Sequence, residues 1–361
     1  MRAPFQLDLH VPNFNWPDVP PADLFEHLAA IATTAEDSGF SAISMMDHYH
    51  QIPGVGPQTN YMFEGNTMLA ALAARTSKAS LGLLVGGVMY RNPAALAKIT
   101  TGIDVISGGR AVLGLGAAWF EGEHEAYGFP FPPLKERFEH LEDALNIARK
   151  MFTEDPATYE GTHHSIHGAI NNPRPLRGDI PILIGGSGEK KTLRMVAEYA
   201  DGSNFFGDLE RVKHLLGVLE GHCERLGRDM GEITKTRMGT LFIGSTHDEA
   251  IAKVDAAIAA GADEERLRAM GFIGDPGEVA AQVQELLDAG LDGVPGCSPT
   301  RWPATSHSTS SSAAATRRRC PTSSATSGRR TWWRRPTCWR CVSRCAATRK
   351  PRTASSWPSR A

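Results

Sequence analysis

Five short stretches carry residue types able to do chemistry. Asp47-His48 directly follows the apolar run AISMM (42–46). Because imidazole titrates near neutral pH, an Asp-His pair can move a proton or hydrogen-bond a ligand ring; the alternative is a helix cap beside a surface histidine. VGGV (85–88) ends another apolar run. Paired glycines let backbone approach a flat ligand, or simply make a turn. GLGAAWFEGE (114–123) sets small residues before Trp119 and Glu121, either a pocket wall with one ionisable group or packing on a rim. ILIGGSGEKKT (182–192) is the strongest of the five. A strand that enters a Gly-rich turn and then a helix brings free backbone N–H groups together at a helix N-terminus, an arrangement that binds phosphate. Last, His163, His164 and His167 form an HHxxH cluster. Its spacing is loose and no carboxylate accompanies it, so it reads as a solvated loop and no metal is expected.

The elements that must hold these stretches alternate short apolar runs with amphipathic segments, the pattern of repeated βα units. FQLDL reads as a first strand and 21–38 as a helix, with Pro early, Leu24, Phe25, Leu28 and Ile31 on one face and Gly39 as the stop. AISMM, SLGLLVG and AVLGLG (111–116) follow as strands two to four, separated by helices at 67–76 and 93–107. A helix over 135–151 precedes a polar hairpin-like insertion around TYEGTHHSIHG. PILIGG (181–186), GSNFF, 235–243 and LDGV (291–294) complete the strands, with helices at 190–199, 209–226, 248–260 and 276–289. Eight such units close into an α/β (β/α)8 TIM barrel, whose functional residues lie at strand C-termini and in the loops that follow. Four of the five stretches sit there. An open doubly wound sheet would carry its glycine fingerprint after the first strand, where LHVPNF bears none.

Composition divides the chain near residue 294. Hydrophobic residues make up 41%, enough for a sizeable core. The net charge of −2 hides an asymmetry: 14 of the 38 basic residues and none of the 40 acidic ones lie in 295–361, leaving 1–294 with a balance of −16. So acidic a body argues against nucleic-acid binding. Residues 295–361 contain no Leu, Ile, Phe or Tyr, one Val, five of the seven Trp and five of the six Cys. Such a segment cannot offset its ordering entropy and is expected to be disordered and non-native-looking. It reads either as a basic arm or as a GC-rich gene translated out of frame; in the second case the tail has no function and the last barrel element is missing. Cys223 alone in the body excludes a disulfide framework or thiolate metal site there. The N-terminal residues lack a signal-peptide core and no run approaches transmembrane length, so a cytoplasmic protein without membrane contact is expected.

Taken together, MDHYHQIPGVGP, YRNPAALAKITTGIDVISGGRAVLGLGAAWFEGEHEAYGFPFPPLKERF and PILIGGSGEKKTLRMVAEYADGSN resemble the F420-dependent branch of the luciferase-like monooxygenase superfamily, over roughly residues 5 to 294. The resemblance implies a TIM barrel with the deazaflavin across its mouth. It places Asp47 and His48 on the ring, His48 in protonation, and a non-proline cis peptide near Leu83 to Gly86 under the ring face. Leu84, Val85, Gly86 and Gly87 would then line that face, Gly116, Ala117, Ala118 and Trp119 the next loop, and Gly185, Gly186, Ser187 and Gly188 the phosphate. Two departures stand out. Many relatives carry Thr where this chain has Gly86, removing a hydroxyl contact. The F420-dependent sugar-phosphate dehydrogenases place a catalytic Glu close to where Trp119 sits, which argues against sugar-phosphate oxidation and leaves Glu121 as the substitute candidate.

The resulting expectation is an F420-dependent oxidoreductase that transfers hydride between C5 of the deazaflavin and a small organic substrate, with a homodimer as the family's common state. The rivals are an FMN-dependent monooxygenase on the same barrel and a non-catalytic flavin- or deazaflavin-binding protein.

Overall fold

The computed structural model describes residues 6–259 and 262–297. The chain opens with β1 (Gln6–Val11), α1 (Leu24–Asp37), β2 (Ala42–Met45), α2 (Gly65–Ala73), β3 (Ser80–Leu83) and the two-residue β4 (Gly86–Gly87). There follow α3 (Pro93–Ser107), β5 (Ala111–Gly116), α4 (Glu121–Tyr127), α5 (Leu134–Thr153) and an antiparallel hairpin, β6 (Ala157–Glu160) with β7 (Ser165–Ala169). The second half runs β8 (Ile182–Gly185), α6 (Thr192–Tyr199), β9 (Gly202–Phe205), α7 (Leu209–Leu226), β10 (Thr234–Arg237) and β11 (Gly239–Ile243). It ends with α8 (His247–Ala259), α9 (Glu264–Met270), β12 (Gly271–Gly274), α10 (Pro276–Asp288) and β13 (Gly293–Cys297).

Parallel pairing in the order β1-β2-β3-β5-β8-β9-β10-β13, with β13 returning to β1, closes an eight-stranded barrel. The closing register sets Gln6 opposite Gly293 and Leu9 opposite Gly296. Strand alternation explains the two faces. Ile43, Met45, Leu81, Leu83, Leu113, Leu115, Ile182 and Ile184 are buried and join the core shared with the helices. The alternate positions, among them Asp8, His10, Ser44, Gly82, Gly114, Gly116, Gly185, Asn204 and Thr236, are small or polar and line the interior.

Helix ends follow local chemistry. Asn92 caps α3 by accepting from the Ala94 and Ala95 N–H groups, Pro93 occupies its first turn, and Gly108 leaves it at φ +75°. Asp275 and Glu278 form a capping box on α10. Both helices match the sequence reading to within a residue.

The differences are local. The strand expected over 235–243 divides at Met238: β10 stays in the barrel, whereas β11 leaves it to pair with β12 and the end of β13. Arg237 fixes the break, donating to the carbonyls of Gly207 (2.9 Å), Ala269 (2.8 Å) and Met270 (3.1 Å). Elements α4, α9 and β12 were not anticipated; each is shorter than the window over which periodicity can be read. The last barrel strand continues beyond Val294, so Pro295, Gly296 and Cys297 belong to β13. The tail reading otherwise lies outside the described residues. No helix among the described residues is long and apolar enough to cross a membrane.

Candidate active site

The C-terminal ends of β2, β3, β5 and β8, neighbours in the sheet, bring four of the five stretches to one mouth. His48 follows β2 there. Its Nδ1 lies 2.8 Å from Oε2 of Glu123, a fully buried carboxylate on α4. Glu123 also accepts from the Tyr90 hydroxyl and from the backbone N–H groups of Tyr49 and His50, the last at 3.1 Å. Burial alone would raise the Glu123 pKa; hydrogen bonds from His48, Tyr90 and the Tyr49 N–H outweigh it and hold the carboxyl below its ordinary value. An ionised Glu123 accepts the proton on Nδ1 and so directs the Nε2 lone pair away from the network. The His48 ring meets Trp119 (5.8 Å, edge-on) and Phe120 (6.3 Å), and these two rings stack on each other at 5.3 Å. Trp119 is 59% exposed, a wall of the mouth rather than a packed core residue.

Asp47 has a different task. Its buried carboxylate takes a two-pronged ion pair from Arg91 (2.7 and 2.8 Å) and the Gly87 N–H at 3.1 Å. Arg91 also pairs with Glu64, which caps α2. Asp47 thereby ties the end of β2 to β4, and its side chain acts on the strand-three segment rather than on the open mouth.

That segment contains a cis peptide between Leu84 and Val85, with no proline, inside the interval the resemblance indicated. After it the chain re-pairs with β5, Gly86 opposite Leu115 and Gly87 opposite Gly116. Glycine is required around this bulge. A Cβ on Gly185 would lie 2.8 Å from a Val85 methyl, one on Gly116 2.9 Å from it, and one on Gly87 2.5 Å from the Tyr90 ring. At Gly86 an added Cβ would stand 3.0 Å from the Gly114 carbonyl and 3.3 Å from Asp47, so no hydroxyl-bearing side chain fits without movement.

Ala117 and Ala118 continue from β5 into α4. Ala118 adopts φ +59°, and Arg137 holds the turn by donating to its carbonyl at 2.8 Å. Across the mouth, Gly186 takes φ +119°. Among the described residues, none of the N–H groups from Gly186 to Lys190 has a protein acceptor. Ser187 Oγ accepts from the Phe206 N–H at 3.3 Å, and Glu189 is paired with Arg211 (2.7 Å) and His214 (3.2 Å). This loop is therefore a set of unengaged donors with its one acid neutralised, suited to a phosphate.

Inside the barrel, Ser44 Oγ donates to Asp8 (2.9 Å) and lies 3.0 Å from His10 Nδ1. Burial pushes Asp8 up to about 7 despite the Ser44 bonds, and His10 down to about 4. Oδ1 of Asp8 is buried and has no hydrogen-bond partner among the described residues.

The expected residues follow the C-terminal ends of β2, β3, β5 and β8, but the carboxylate next to His48 is not Glu121. Glu121 lies exposed at the start of α4, and the carboxylate on His48 comes from Glu123, two residues on. Glu123, Tyr90 and Arg91 were missed. The signal available was the EGEHEAYG segment, in which only Glu123 and His124 are buried on α4.

The sequence profile of the luciferase-like monooxygenase family matches residues 6–265. The chain belongs to the luciferase-like monooxygenase family. Within it, the F420-dependent glucose-6-phosphate dehydrogenase of Kineococcus radiotolerans is 31% identical over 216 residues, 58% of this chain and 61% of that enzyme. With three such dehydrogenases the match takes in 52–65% of the relative's length. The 5,10-methylenetetrahydromethanopterin reductase of Methanopyrus kandleri is 27% identical over 329 residues, 77% of this chain and 90% of that one. A solved structure of the coenzyme F420 dependent tetrahydromethanopterin reductase from the same organism has the same fold, with a TM-score of 0.66 at 24% identity over 81% of this chain and 93% of that chain.

Proposed function

We propose that this luciferase-like barrel is an F420-dependent oxidoreductase acting on a small organic substrate. The observation that carries the reading is His48, which follows β2 beside Trp119 and is held through Nδ1 by a buried carboxylate, so that Nε2 is left outside that bond. The names of the relatives, which include F420-dependent dehydrogenases and a methanopterin reductase, favour the deazaflavin. The residues fit such a group: the unengaged N–H donors from Gly186 to Lys190 suit its phosphate, and the Val85 bulge between Gly116 and Gly185 offers a surface for its ring.

A bound deazaflavin would supply hydride chemistry at its C5. The protein does the rest. Glu123 fixes the His48 tautomer, so that neutral His48 accepts a proton at Nε2 when substrate is oxidised. In reduction, the imidazolium gives that proton back, with Glu123 stabilising its charge. Asp47 and Arg91 position Gly87 and the bulge, and Trp119 with Phe120 shields the reacting atoms from water. Position 119 is Trp and Glu121 is exposed at the start of α4, which favours simple alcohols, carbonyls or imines over sugar phosphates.

The test is turnover of F420 by the full chain with representatives of those three classes, followed by deazaflavin absorbance, beside oxygen uptake with reduced FMN. F420 turnover without FMN-dependent oxygen uptake is the expected result. Oxygen uptake with FMN and no F420 turnover would replace the reading with a monooxygenase.

A further inference from the structure

The HHxxH stretch, read from sequence as a loop without a carboxylate, gains two from another element. Glu136 and His140 lie one turn apart on α5, and the turn of the β6–β7 hairpin lays His163 and His164 against them. We propose that Glu136, His140 and His163 bind a late first-row divalent cation, Zn²⁺ foremost. One ligand atom from each residue lies within 4.8 Å of the others. His140 Nε2 is 3.8 Å from Glu136, and His163 Nε2 is 3.0 Å from Glu139, a second carboxylate at the same place.

The backbone around the cluster is fixed without using these side chains. Asp143, on the next turn of α5, accepts the N–H groups of Thr162 (3.1 Å), His163 (2.6 Å) and His164 (2.9 Å). A Cβ on Gly161 would overlap that carboxylate, so glycine lets the hairpin close onto the helix. His164 Nε2 lies 2.9 Å from His140 Nδ1, the outer partner that orients a metal-ligating imidazole and leaves its Nε2 for the cation. Two imidazoles and a carboxylate suit Zn²⁺, Ni²⁺ or Cu²⁺ and discriminate against Ca²⁺ and Mg²⁺.

Tetrahedral zinc with bonds of about 2.0–2.1 Å needs ligand atoms roughly 3.3 Å apart. The His140 and His163 rings, now stacked at 4.1 Å, must therefore turn towards one point. Glu139 or water completes the shell. Arg137, beside Glu136, holds the Ala118 carbonyl, so a cation here braces the helix turn that anchors the mouth loop.

The experiment uses untagged full-length protein freed of metal with EDTA, titrated with Zn²⁺ and followed by calorimetry and thermal unfolding, beside His163→Ala and His140→Ala. Circular dichroism and the metal-free Tm establish that each variant folds. Cysteines after residue 296 also attract zinc, so the difference between proteins is decisive. The wild type is expected to take one more equivalent than either variant, or to bind it at least about 10-fold more tightly, with a zinc-dependent rise in Tm that both variants lose. Equal stoichiometry and affinity in all three proteins, or a wild-type Tm indifferent to zinc, would overturn the proposal.

Discussion

On the β2–β5 side of the mouth the charged groups are already bonded to one another, Asp47 to Arg91 and Glu123 to His48 and Tyr90. On the β8–α6 side, Gly186 to Lys190 present backbone donors that no atom among the described residues accepts from. A completed network is preorganised and holds a reacting group in one orientation, whereas unengaged donors wait for a ligand that brings its own charge. Changes on the first side should therefore alter turnover or stability, and changes on the second should alter affinity.

The largest effect is expected from His48→Ala. Turnover should fall by ~10²–10⁴, the span of a proton-transfer group, while F420 affinity changes little. Next, Asp47→Ala strips Arg91 of its two-pronged partner and leaves Glu64 as its one carboxylate partner among the described residues. Breaking a buried pair costs about 3 kcal/mol, seen as a lower Tm and an earlier denaturant midpoint. Glu123→Gln keeps the shape but removes the charge that accepts from His48 and Tyr90. Loss of a charge-assisted bond worth about 1.5–3 kcal/mol predicts a ~10- to 10²-fold drop in turnover, with a changed pH–rate profile. On the opposite side, Gly186→Ala forces a side chain onto φ +119°. A strain of about 1–2 kcal/mol should weaken F420 binding roughly 10-fold and leave the bound enzyme's turnover unchanged.

A pH-dependent effect on stability concerns Asp8, beneath both sides. Its folded pKa, about 7, lies above the ordinary 3.8, so the fold binds a proton that the unfolded chain releases. Stability is then lost as pH rises through that window. Asp8→Asn should be more stable than the wild type at pH 8, with the gap closing towards pH 4; a gap independent of pH would refute the assignment.

Local signals carried most of the fold. Asn92, Pro93 and Gly108 mark both ends of α3 within their own neighbourhood, and strand alternation implies the barrel. The site was half legible for the same reason. Asp47, His48, Val85 and the GGSG loop follow strand ends that can be read directly, whereas the choice of Glu123 over Glu121 depends on how a seven-residue helix is rotated. Its pairing with His48 spans 75 residues, and no spacing rule reaches that far. His163 met no carboxylate in the sequence reading because Glu136 and His140 reach it only after α5 and the hairpin pack. Alternation also runs through Met238, which hid the departure of β11 from the barrel.

The most direct test of the division is equilibrium binding of F420 and FMN to the wild type, His48→Ala and Gly186→Ala. The account predicts that F420 binds more tightly than FMN, and that Gly186→Ala weakens F420 binding while His48→Ala does not. Equal weakening by the two variants, or a folded wild type that prefers FMN or binds neither, would contradict it.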